Sequence, residues 1–516
     1  MHLFSETLSA HKASSFITTL KEVSLWSSAT VPTSHEQVSC ARSAVLHALV
    51  QRGLQRLPAL RLTCHFGKNL PHPPSLCGGD RLIIPKTALA SAQLSQRGLG
   101  AVARSTNSHT CLKLQAFSTC ALRAGQRVMA ARQEEAAGEK VLSIDGSMLE
   151  GGGQILRNAA ALAAITSTPI KVSKIRAGRS KPGLRAQHLA GLQLVADLCQ
   201  GRLEGGTIGS QEISLTPHHL SCGHHIGDTK TAGSCMLLAQ AALPCLFMAH
   251  QVSSPVGTMP DGRTSVLDLR GGTDACMAPP AAYAQHVLLP MLQRLQGVQA
   301  SLDLHKRGFF PKGGGRVLLS AAALAQGTCL PAFQLTDPGH VTRVRIMAHT
   351  AGKVKEQVAS RMVEAARDTI KQSVKNTPID CEAVREGSDR AFGDGTGILM
   401  VAETSTGCLL GASGIGERGV QAEQIATTAA DELVQAICSG ACVDQWLQDQ
   451  LVVFMALGQG ESKLLCTEPT LHTRTAMVVA EQLTAARFEV HKPAGKIKCW
   501  QVHCIGAAVP ADTTHI

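Results

Sequence analysis

Strand-like and helical patterns alternate along this 516-residue chain from Lys140 onward. "KVLSIDG" is strand-like, and the glycine-rich "GGGQILRNAAALAAITS" turns into an apolar helix. "IKVSKIRAG" again indicates a strand, "GLRAQHLAGLQLVADLCQG" has apolar residues at helical spacing, and "GRLEGGTIGSQEISLTP" is typical of two short paired strands. Strand, helix, strand, helix and a strand pair describe one α/β unit.

Similar units recur further along the chain. A second follows Thr231 and ends in the strands around "GFFPKGGGRVLLS", and a third runs from "QAEQIATTAADELVQAIC" to "RFEVHKPAGKIKCWQVHC". The pattern predicts an α/β (α+β) fold in which three repeated units form a large domain. The stretch before the third unit has strands and a helix of its own. We therefore predict an inserted smaller α/β domain at 326–418, within a large domain made of 139–325 and 419–510.

The N-terminal segment, residues 1–138, has a different composition. It holds 15 Lys+Arg against 6 Asp+Glu, in a chain of net charge +11. It is rich in Ser, Ala, Leu and Arg and shows no sustained period, which is typical of an organelle transit peptide, a disordered tail or an upstream start that is not used. Because most of the excess charge lies here, a basic site in the body must be a local cluster.

Other compositional features limit the class of protein. The 18 cysteines include no C-x-x-C pair, which favours reduced, buried thiols in an intracellular protein over a disulfide framework. An aromatic content of 3% argues against a protein that grips single strands by base stacking. The longest charge-free stretch, Thr231 to Pro260, contains Pro244 and indicates a buried helix plus loop, so we predict no membrane span.

Three consecutive glycines in "DGSMLEGGGQILRN" stand between a predicted strand and a predicted helix. Glycines let the backbone approach a ligand, and a helix N-terminus offers free N–H groups to a phosphate. Arg157 lies one to two turns into the helix, and Glu150, just before the glycines, is placed to hold a metal ion or a hydroxyl group. No G-K-[ST] follows, so this is not a Walker A loop. Phosphate binding and a plain glycine-rich turn both stay open on this pattern.

Two other polar clusters follow in the same half of the body. "KIRAGRSKPGLRAQH" contains five basic residues and no acidic one, which suits either a phosphate or RNA backbone or a solvated loop. The five are Lys174, Arg176, Arg179, Lys181 and Arg185. "HHLSCGHH", residues 218–225, has four histidines and one cysteine, but no second ligand pair with zinc spacing stands near it, so a loop is the simpler interpretation.

The C-terminal part contributes two weaker candidates. In "VDQWLQDQLVVFMALGQGE", Asp449, Gln450 and Trp446 could line a purine-nucleotide pocket or form a helix cap and an amphipathic edge. In "TEPTLHTRTAM", Thr470 is placed to cap a helix with His472 in its first turn. The helix dipole disfavours imidazolium there, so the neutral ring would keep a lone pair that can attack phosphorus. A hydrogen-bonded histidine in a helix cap is the alternative.

Nine motifs in this order resemble those of the RNA 3′-terminal phosphate cyclase family. They are "DGSMLEGGGQILR", "IRAGRSKPGL", "QHLAGL", "EGGTIGS", "DTKTAGS", "GGTDACMAPP", "GFFPKGGG", "WLQDQLVVFMALG" and "LHTRTA". The resemblance covers Val141 to Ala508 and is strongest for the eukaryotic members. It implies three repeated α/β units, each similar to the C-terminal domain of a bacterial translation initiation factor, with an inserted smaller domain.

The resemblance also implies a ligase-class activity. Members use ATP and a divalent metal, Mg²⁺ or Mn²⁺, and act on an RNA with a 3′-phosphate end. A histidine attacks the α-phosphorus of ATP, and the resulting AMP passes to the RNA 3′-phosphate. The neighbouring 2′-hydroxyl then displaces AMP and closes a 2′,3′-cyclic phosphate.

The family motifs assign roles to individual residues of this sequence. His472 corresponds to the nucleophile, and Glu150 corresponds to the carboxylate near ATP and the metal. The positions placed for phosphates and the RNA end are Arg157, Arg176 and Arg179. The nucleotide-pocket positions are Gln240, Pro279, Trp446, Asp449 and Gln450. Trp446 stands where relatives usually carry tyrosine, which predicts a retained purine pocket of slightly altered shape.

Two other protein classes share part of this pattern. Cyclase-like ribosome-biogenesis proteins have the fold and act as non-catalytic RNA-binding proteins, but they lack the nucleophilic histidine that is present here. Enolpyruvyl-transferase-like enzymes also repeat α/β units, but they would need other motifs. Eukaryotic cyclases imply a location in the nucleus, whereas a working transit peptide would direct the chain to a plastid or mitochondrion. The sequence leaves the oligomeric state and the preferred metal open.

Overall fold

The computed structural model describes residues 141–250, 262–493 and 498–511, all in one compact unit. The predicted basic extension at 1–138 lies outside the described residues, as does the end of the charge-free stretch at 251–260. Four β-sheets and their helices make up the described part, which confirms the α/β class. No helix in the described ranges combines the length and apolarity needed to cross a bilayer.

Three of the four sheets have the same connectivity, strand–helix–strand–helix–strand–strand. In each, the first two strands are parallel, the later strands are antiparallel, and the spatial order is first, second, fourth, third. The first repeat contains β1 (Leu142–Asp145), α1 (Gly153–Thr166), β2 (Ile170–Ser173), α2 (Ala186–Leu198), β3 (Arg202–Glu204) and β4 (Ile213–Thr216).

The second repeat follows the same order with a longer second helical segment. It contains β5 (His224–Asp228), α3 (Met236–Phe247), β6 (Thr264–Gly271), α4 (Ala281–Tyr283), a π turn (Ala284–Leu288), α5 (Leu289–Gln296), β7 (Ala300–Gly308) and β8 (Gly315–Ala322). The buried helix α3 accounts for the apolar run that the sequence assigned to the interior rather than to a membrane.

The third repeat is interrupted after its first strand, β9 (Gln334–Leu335). The insert contains β10 (Val341–Ala351), α6 (Glu356–Ser373), β11 (Ile379–Glu386), β12 (Ala391–Phe392), β13 (Gly395–Thr404), β14 (Leu409–Ile415) and α7 (Ala422–Ser439). The repeat then continues with α8 (Gln445–Leu457), β15 (Glu461–Cys466), α9 (Leu471–Leu483), β16 (Arg487–His491) and β17 (Trp500–Ile505). β9 pairs in parallel with β15, as first and second strands do in the other repeats.

The boundaries of the insert differ from the predicted 326–418. β9 belongs to the third repeat, and α7, which we assigned to that repeat, packs against α6 and the sheet of the insert. Arg361 on α6 binds Glu423 on α7 through two contacts of 2.6 and 2.7 Å. The helical pattern of α7 fits either location, and only its packing partner assigns it to the insert.

The helices of the three repeats form the core. Helix α1 packs against α2, α3 and α9, and α8 packs against α3 and α9. Most residues of α1 and α8 are buried, and the alanines of α1 allow the neighbouring helices to approach closely. This packing brings the N-terminal turns of helices from different repeats together.

Candidate active site

The first helix of each repeat contributes a polar side chain from the same helical position to a shared network. Arg157, Gln240 and Asp449 each lie four residues after the first residue of α1, α3 and α8, respectively. Arg157 Nε donates to Gln240 Oε1 over 3.0 Å. Arg157 Nη2 also donates to Gln154 Oε1, and Gln154 Nε2 donates to Asp449 Oδ2 over 3.2 Å. The repeated topology therefore gathers three of the predicted site residues around one point.

Burial controls the charges in this network. It lowers the pKa of Arg157 to about 10, against the attraction of Asp449 and Glu150. It raises the pKa of Asp449 to about 7, while Arg157 opposes that rise and Asp444 adds to it. Asp449 Oδ1 is buried and makes no hydrogen bond with the described residues. Buried polar atoms without a partner are uncommon, so this oxygen is available to a group that enters the site.

His472 lies in the first turn of α9. Thr470 caps this helix by accepting a hydrogen bond from the Thr473 N–H over 3.1 Å. His472 Nδ1 lies 3.6 Å from Glu150 Oε2, and both atoms are buried without a hydrogen-bond partner in the described part. The contact arises because α9 packs against α1, which follows directly after Glu150.

The charge state of His472 follows from its surroundings. Burial lowers the pKa of His472 below its ordinary value, and Arg157 and Arg179 lower it further, while Glu150 opposes them. The positive end of the α9 dipole acts in the same direction as the arginines. The imidazole is therefore neutral at pH 7 and keeps one nitrogen lone pair.

The glycine turn makes room for Glu150 and its partner. Arg179 Nη2 lies 2.6 Å from Glu150 Oε1 and contacts the Glu150 carbonyl oxygen at 3.2 Å. A Cβ on Gly152 would lie 2.0 Å from Glu150 Oε1, and one on Gly153 would lie 2.7 Å from His188 Nε2. A side chain at either position would therefore displace Glu150 or His188, and Gly151, with a φ of +58°, has a left-handed conformation that favours glycine.

The predicted basic loop is partly paired within itself. Arg176 Nη1 donates to the carbonyl oxygens of Lys181 and Gly183 over 2.8 and 2.9 Å. Lys174 forms an ion pair of 2.8 Å with Asp145. Arg176 therefore holds the shape of the loop from which Arg179 reaches Glu150.

A narrow pocket, lined mainly by apolar side chains, adjoins the polar network. Gln240, Pro279 and Gln450, three of the predicted nucleotide positions, are among its lining residues. Gln450 Nε2 donates to the Trp446 carbonyl oxygen over 2.8 Å, one turn earlier on α8. The half-buried Trp446 side chain packs against the core. Asp449 and Gln450 lie inside α8 rather than before it, and Asp444 is the residue that caps this helix.

Sequence reasoning missed two members of the site. Gln154 bridges Arg157 and Asp449, and His188 is packed among basic groups. Burial, with help from Arg157 and two other arginines, lowers the pKa of His188 to about 3, so this ring is neutral. Both residues stand within motifs that the sequence singled out, but nothing local to either predicts its long-range partners.

No residue of the histidine-rich run at 218–225 takes part in the described hydrogen bonds and ion pair of this network. Part of it forms β5, and burial lowers the pKa of His225. Among the described residues, this run supplies no group of three side chains with metal-ligand spacing. The simpler interpretation, a loop leading into a strand, agrees with these positions.

The fold and site together define an α/β protein of three repeats with a histidine facing a carboxylate. Sequence comparison matches residues 148–490 to RNA 3′-terminal phosphate cyclase. A probable RNA 3′-terminal phosphate cyclase of Dictyostelium discoideum is 39% identical over 365 residues, covering 70% of this chain and 81% of that protein. An RNA 3′-terminal phosphate cyclase of Drosophila melanogaster is 37% identical over 360 residues, covering 70% of this chain and 95% of that protein.

An archaeal relative gives the same result. An RNA 3′-terminal phosphate cyclase of Pyrobaculum aerophilum is 34% identical over 353 residues, covering 68% of this chain and 95% of that protein. The chain belongs to the RNA 3′-terminal phosphate cyclase family, and it is an enzyme of that type. The resemblance read from the nine motifs is confirmed.

Proposed function

We propose that this chain converts an RNA 3′-phosphate into a 2′,3′-cyclic phosphate, using ATP and a histidyl–AMP intermediate. The observation that carries the proposal is the pair formed by His472 and Glu150, whose facing atoms lie 3.6 Å apart and lack hydrogen-bond partners in the described part. The family of the chain supports the overall reaction.

The nucleophile in this proposal is Nε2 of His472. Nδ1 faces the Glu150 carboxylate, and the negative charge favours the tautomer that carries its proton on Nδ1. Nε2 then keeps the lone pair. Because burial and the arginines lower the pKa of His472, the nucleophilic form predominates at neutral pH.

The pocket beside the network suits a nucleotide. Pro279 lines it with an apolar surface, and Trp446, one turn before Gln450 on α8, offers a ring that can flank a purine. Gln240 and Gln450 are also among its lining residues. Asp449 Oδ1 offers an unused buried acceptor, which suits a ribose hydroxyl.

The phosphates would lie near the glycine turn. Arg157 and Arg179 are the two guanidinium groups whose charges lower the pKa of His472, and guanidinium matches phosphate geometry. Glu150 Oε2, a buried oxygen without a partner among the described residues, fits a divalent cation. Mg²⁺ commonly uses one or two carboxylates together with phosphate oxygens. When bound, such a cation would offset the negative charge of the triphosphate.

Each proposed step forms one bond to phosphorus and breaks another. His472 Nε2 forms a bond to the α-phosphorus, and the bond to pyrophosphate breaks. The RNA 3′-phosphate then takes the AMP group, which restores the free imidazole. The neighbouring 2′-hydroxyl loses its proton and attacks the activated 3′-phosphorus, and AMP leaves. Adenylylation is needed because the oxygen of a bare terminal phosphate is a poor leaving group, and a covalent intermediate divides a difficult reaction into easier steps.

The full chain, incubated with α-labelled ATP and Mg²⁺ or Mn²⁺, tests this proposal directly. We expect an acid-labile, alkali-stable label on the protein in the absence of RNA. Adding an RNA that ends in a 3′-phosphate should release labelled AMP and give a phosphatase-resistant end, whereas a matched RNA with a 3′-hydroxyl should do neither. A folded chain that binds RNA but takes no label would contradict the proposal and favour non-catalytic RNA binding.

Replacing Arg176 with alanine should weaken AMP transfer to RNA more than it weakens self-labelling. Arg176 shapes the loop at 174–185 through two backbone carbonyl groups, and its charge adds to that of Arg179 and Arg185. The loss of one charged contact to an RNA phosphate corresponds to on the order of 10- to 100-fold. Single-turnover transfer from labelled protein to RNA measures the second step alone.

Arg202→Ala is the matched control for this experiment. Arg202 is an exposed arginine of the same repeat that pairs with Glu204 at 3.1 Å. We expect wild-type rates in both steps for this variant. An equal loss of labelling and transfer in Arg176→Ala would count against an RNA-end role for Arg176.

A further inference from the structure

The third sheet carries a group of two histidines and one glutamate outside the candidate active site. Glu489 and His491 lie on β16, His503 lies on β17, and one ligand atom from each lies within 4.8 Å of the other two. Across the residues that the structure describes, this is the one group of three His, Cys, Asp or Glu side chains with such spacing. Glu489 and His491 are exposed and His503 is half-buried, so an ion in solution can reach them.

The strand register produces this arrangement. Glu489 stands opposite His503 in the antiparallel β16–β17 pair, and His491 follows Glu489 by two residues. Because side chains alternate along a strand, all three point to the same face of the sheet. Val490 and Val502 point the other way and pack into the core. A hydrogen-bonded ladder, rather than a loop, therefore positions the three ligand groups.

A second carboxylate lies beside the half-buried histidine. His503 Nε2 lies 2.8 Å from Glu461 Oε1 on β15, and His503 Nδ1 lies 3.9 Å from Glu489 Oε2. The Glu461 carboxylate favours a proton on Nε2, which leaves the lone pair on Nδ1, the ring nitrogen nearer to Glu489. Lys463 also contacts Glu461 Oε1 at 2.8 Å and holds that carboxylate in place. Metal-bound histidines commonly show this pattern, with the second ring nitrogen held by a carboxylate.

We propose that Glu489, His491 and His503 bind Zn²⁺ or a divalent transition metal of similar preference. Two imidazoles and one carboxylate suit Zn²⁺, whereas Mg²⁺ and Ca²⁺ prefer oxygen ligands alone. With metal–ligand distances of about 2.0–2.1 Å, tetrahedral ligand atoms lie roughly 3.3 Å apart. The 3.9 Å between His503 Nδ1 and Glu489 Oε2 is close to this spacing, and a small rotation of the exposed Glu489 side chain would reach it. Water would complete the coordination.

The consequence of this site is structural. The ion would join β16 to β17 on the face of the sheet that points away from the core. Helix α9 also packs against β16. Binding to the folded sheet but not to the unfolded chain stabilises the fold by mass action. The proposal does not depend on the RNA reaction, because none of its three ligands has a role in that reaction.

Equilibrium dialysis of the full chain against Zn²⁺, with excess Mg²⁺ to fill oxygen-rich sites, tests the proposal. We expect the wild-type chain to bind one Zn²⁺ per chain more than His503→Ala and His491→Ala. Zn²⁺ should also raise the thermal unfolding midpoint of the wild type more than that of either variant. Thiols bind Zn²⁺ as well, but they are the same in all chains, so the difference between variants isolates this site.

Two further variants sharpen the result. His305→Ala is the matched control, because His305 is also a strand histidine beside a carboxylate, 3.1 Å from Asp303, and should leave Zn²⁺ binding unchanged. Glu461→Gln should keep the extra Zn²⁺ but bind it about 10- to 100-fold more weakly. Should His503→Ala fail to fold, the exposed His491→Ala decides the question. Equal Zn²⁺ binding by wild type and His491→Ala would overturn the proposal.

Discussion

Replacing His472 with alanine is expected to lower both protein labelling by ATP and cyclic-phosphate formation by about 10⁴-fold or more. In the proposed mechanism every turnover passes through Nε2 of this ring, and removing a covalent nucleophile leaves only the weak background reaction. The effect should be equal in the two assays, since the RNA step requires the labelled protein. Initial rates with α-labelled ATP and with 3′-phosphorylated RNA measure the two losses.

The same variant should remain folded. The His472 side chain is 42% exposed, and its Nδ1 makes no hydrogen bond within the described residues. The helix cap is supplied by Thr470 and stays in place. Truncation therefore removes little packing. It also leaves no additional buried polar group without a partner, because Glu150 Oε2 already lacks one.

His305→Ala serves as the control for His472→Ala. The His305 side chain is 40% exposed and also lies beside a carboxylate, so the two changes remove similar surface. We expect normal labelling for the control and a urea midpoint close to the wild-type value for both variants. Normal labelling of His472→Ala would refute the proposed nucleophile and leave His472 as a helix-cap residue.

The separate motifs could be predicted from sequence because each is local. The glycine turn before α1 and the threonine cap before His472 are short-range signals, and the periodic segments gave most strands and helices of the first repeat. Their assembly into one site is not local. That Arg157 and Gln240 occupy equivalent positions in α1 and α3 became apparent only with the helix bounds and their contact.

The boundaries of the insert also depend on contacts that a local sequence pattern does not determine. Helix α7 has an apolar stripe that could cover either the third sheet or the sheet of the insert. Its packing against α6, with Arg361 paired to Glu423, is a relation between segments 62 residues apart, which a local pattern does not encode. The two-residue strand β9 is too short to give a periodic signal, so the start of the third repeat was also missed.

Among the contacts between distant segments, the hydrogen bonds of Asp444 should have the largest effect on stability. Its carboxylate accepts hydrogen bonds from the Trp446 and Leu447 N–H groups of α8 over 2.8 and 3.0 Å. It also accepts from the Tyr283 hydroxyl over 2.7 Å and from the Gly411 N–H over 2.7 Å. One buried side chain thus ties the third repeat to the second repeat and to the insert.

Asp444→Ala should lower the free energy of unfolding by about 3–5 kcal/mol. Loss of the cap contributes about 1 kcal/mol, and each buried donor left without a partner adds about 1–3 kcal/mol. Burial and the nearby Asp444 carboxylate raise the pKa of Tyr283 well above its ordinary value, so its hydroxyl stays a donor throughout the neutral range. Urea unfolding followed by circular dichroism measures the change.

Asp380→Ala is the control that separates a buried carboxylate from an exposed one. Asp380 lies on β11 of the insert, its side chain is 52% exposed, and it forms an ion pair with Arg343. An exposed pair contributes about 0–1 kcal/mol, so the midpoint of this variant should move little. Asp444→Asn, which keeps one acceptor oxygen, should fall between the two. If Asp444→Ala and Asp380→Ala unfolded at the same urea concentration, Asp444 would not connect the repeats as its four hydrogen-bond donors indicate.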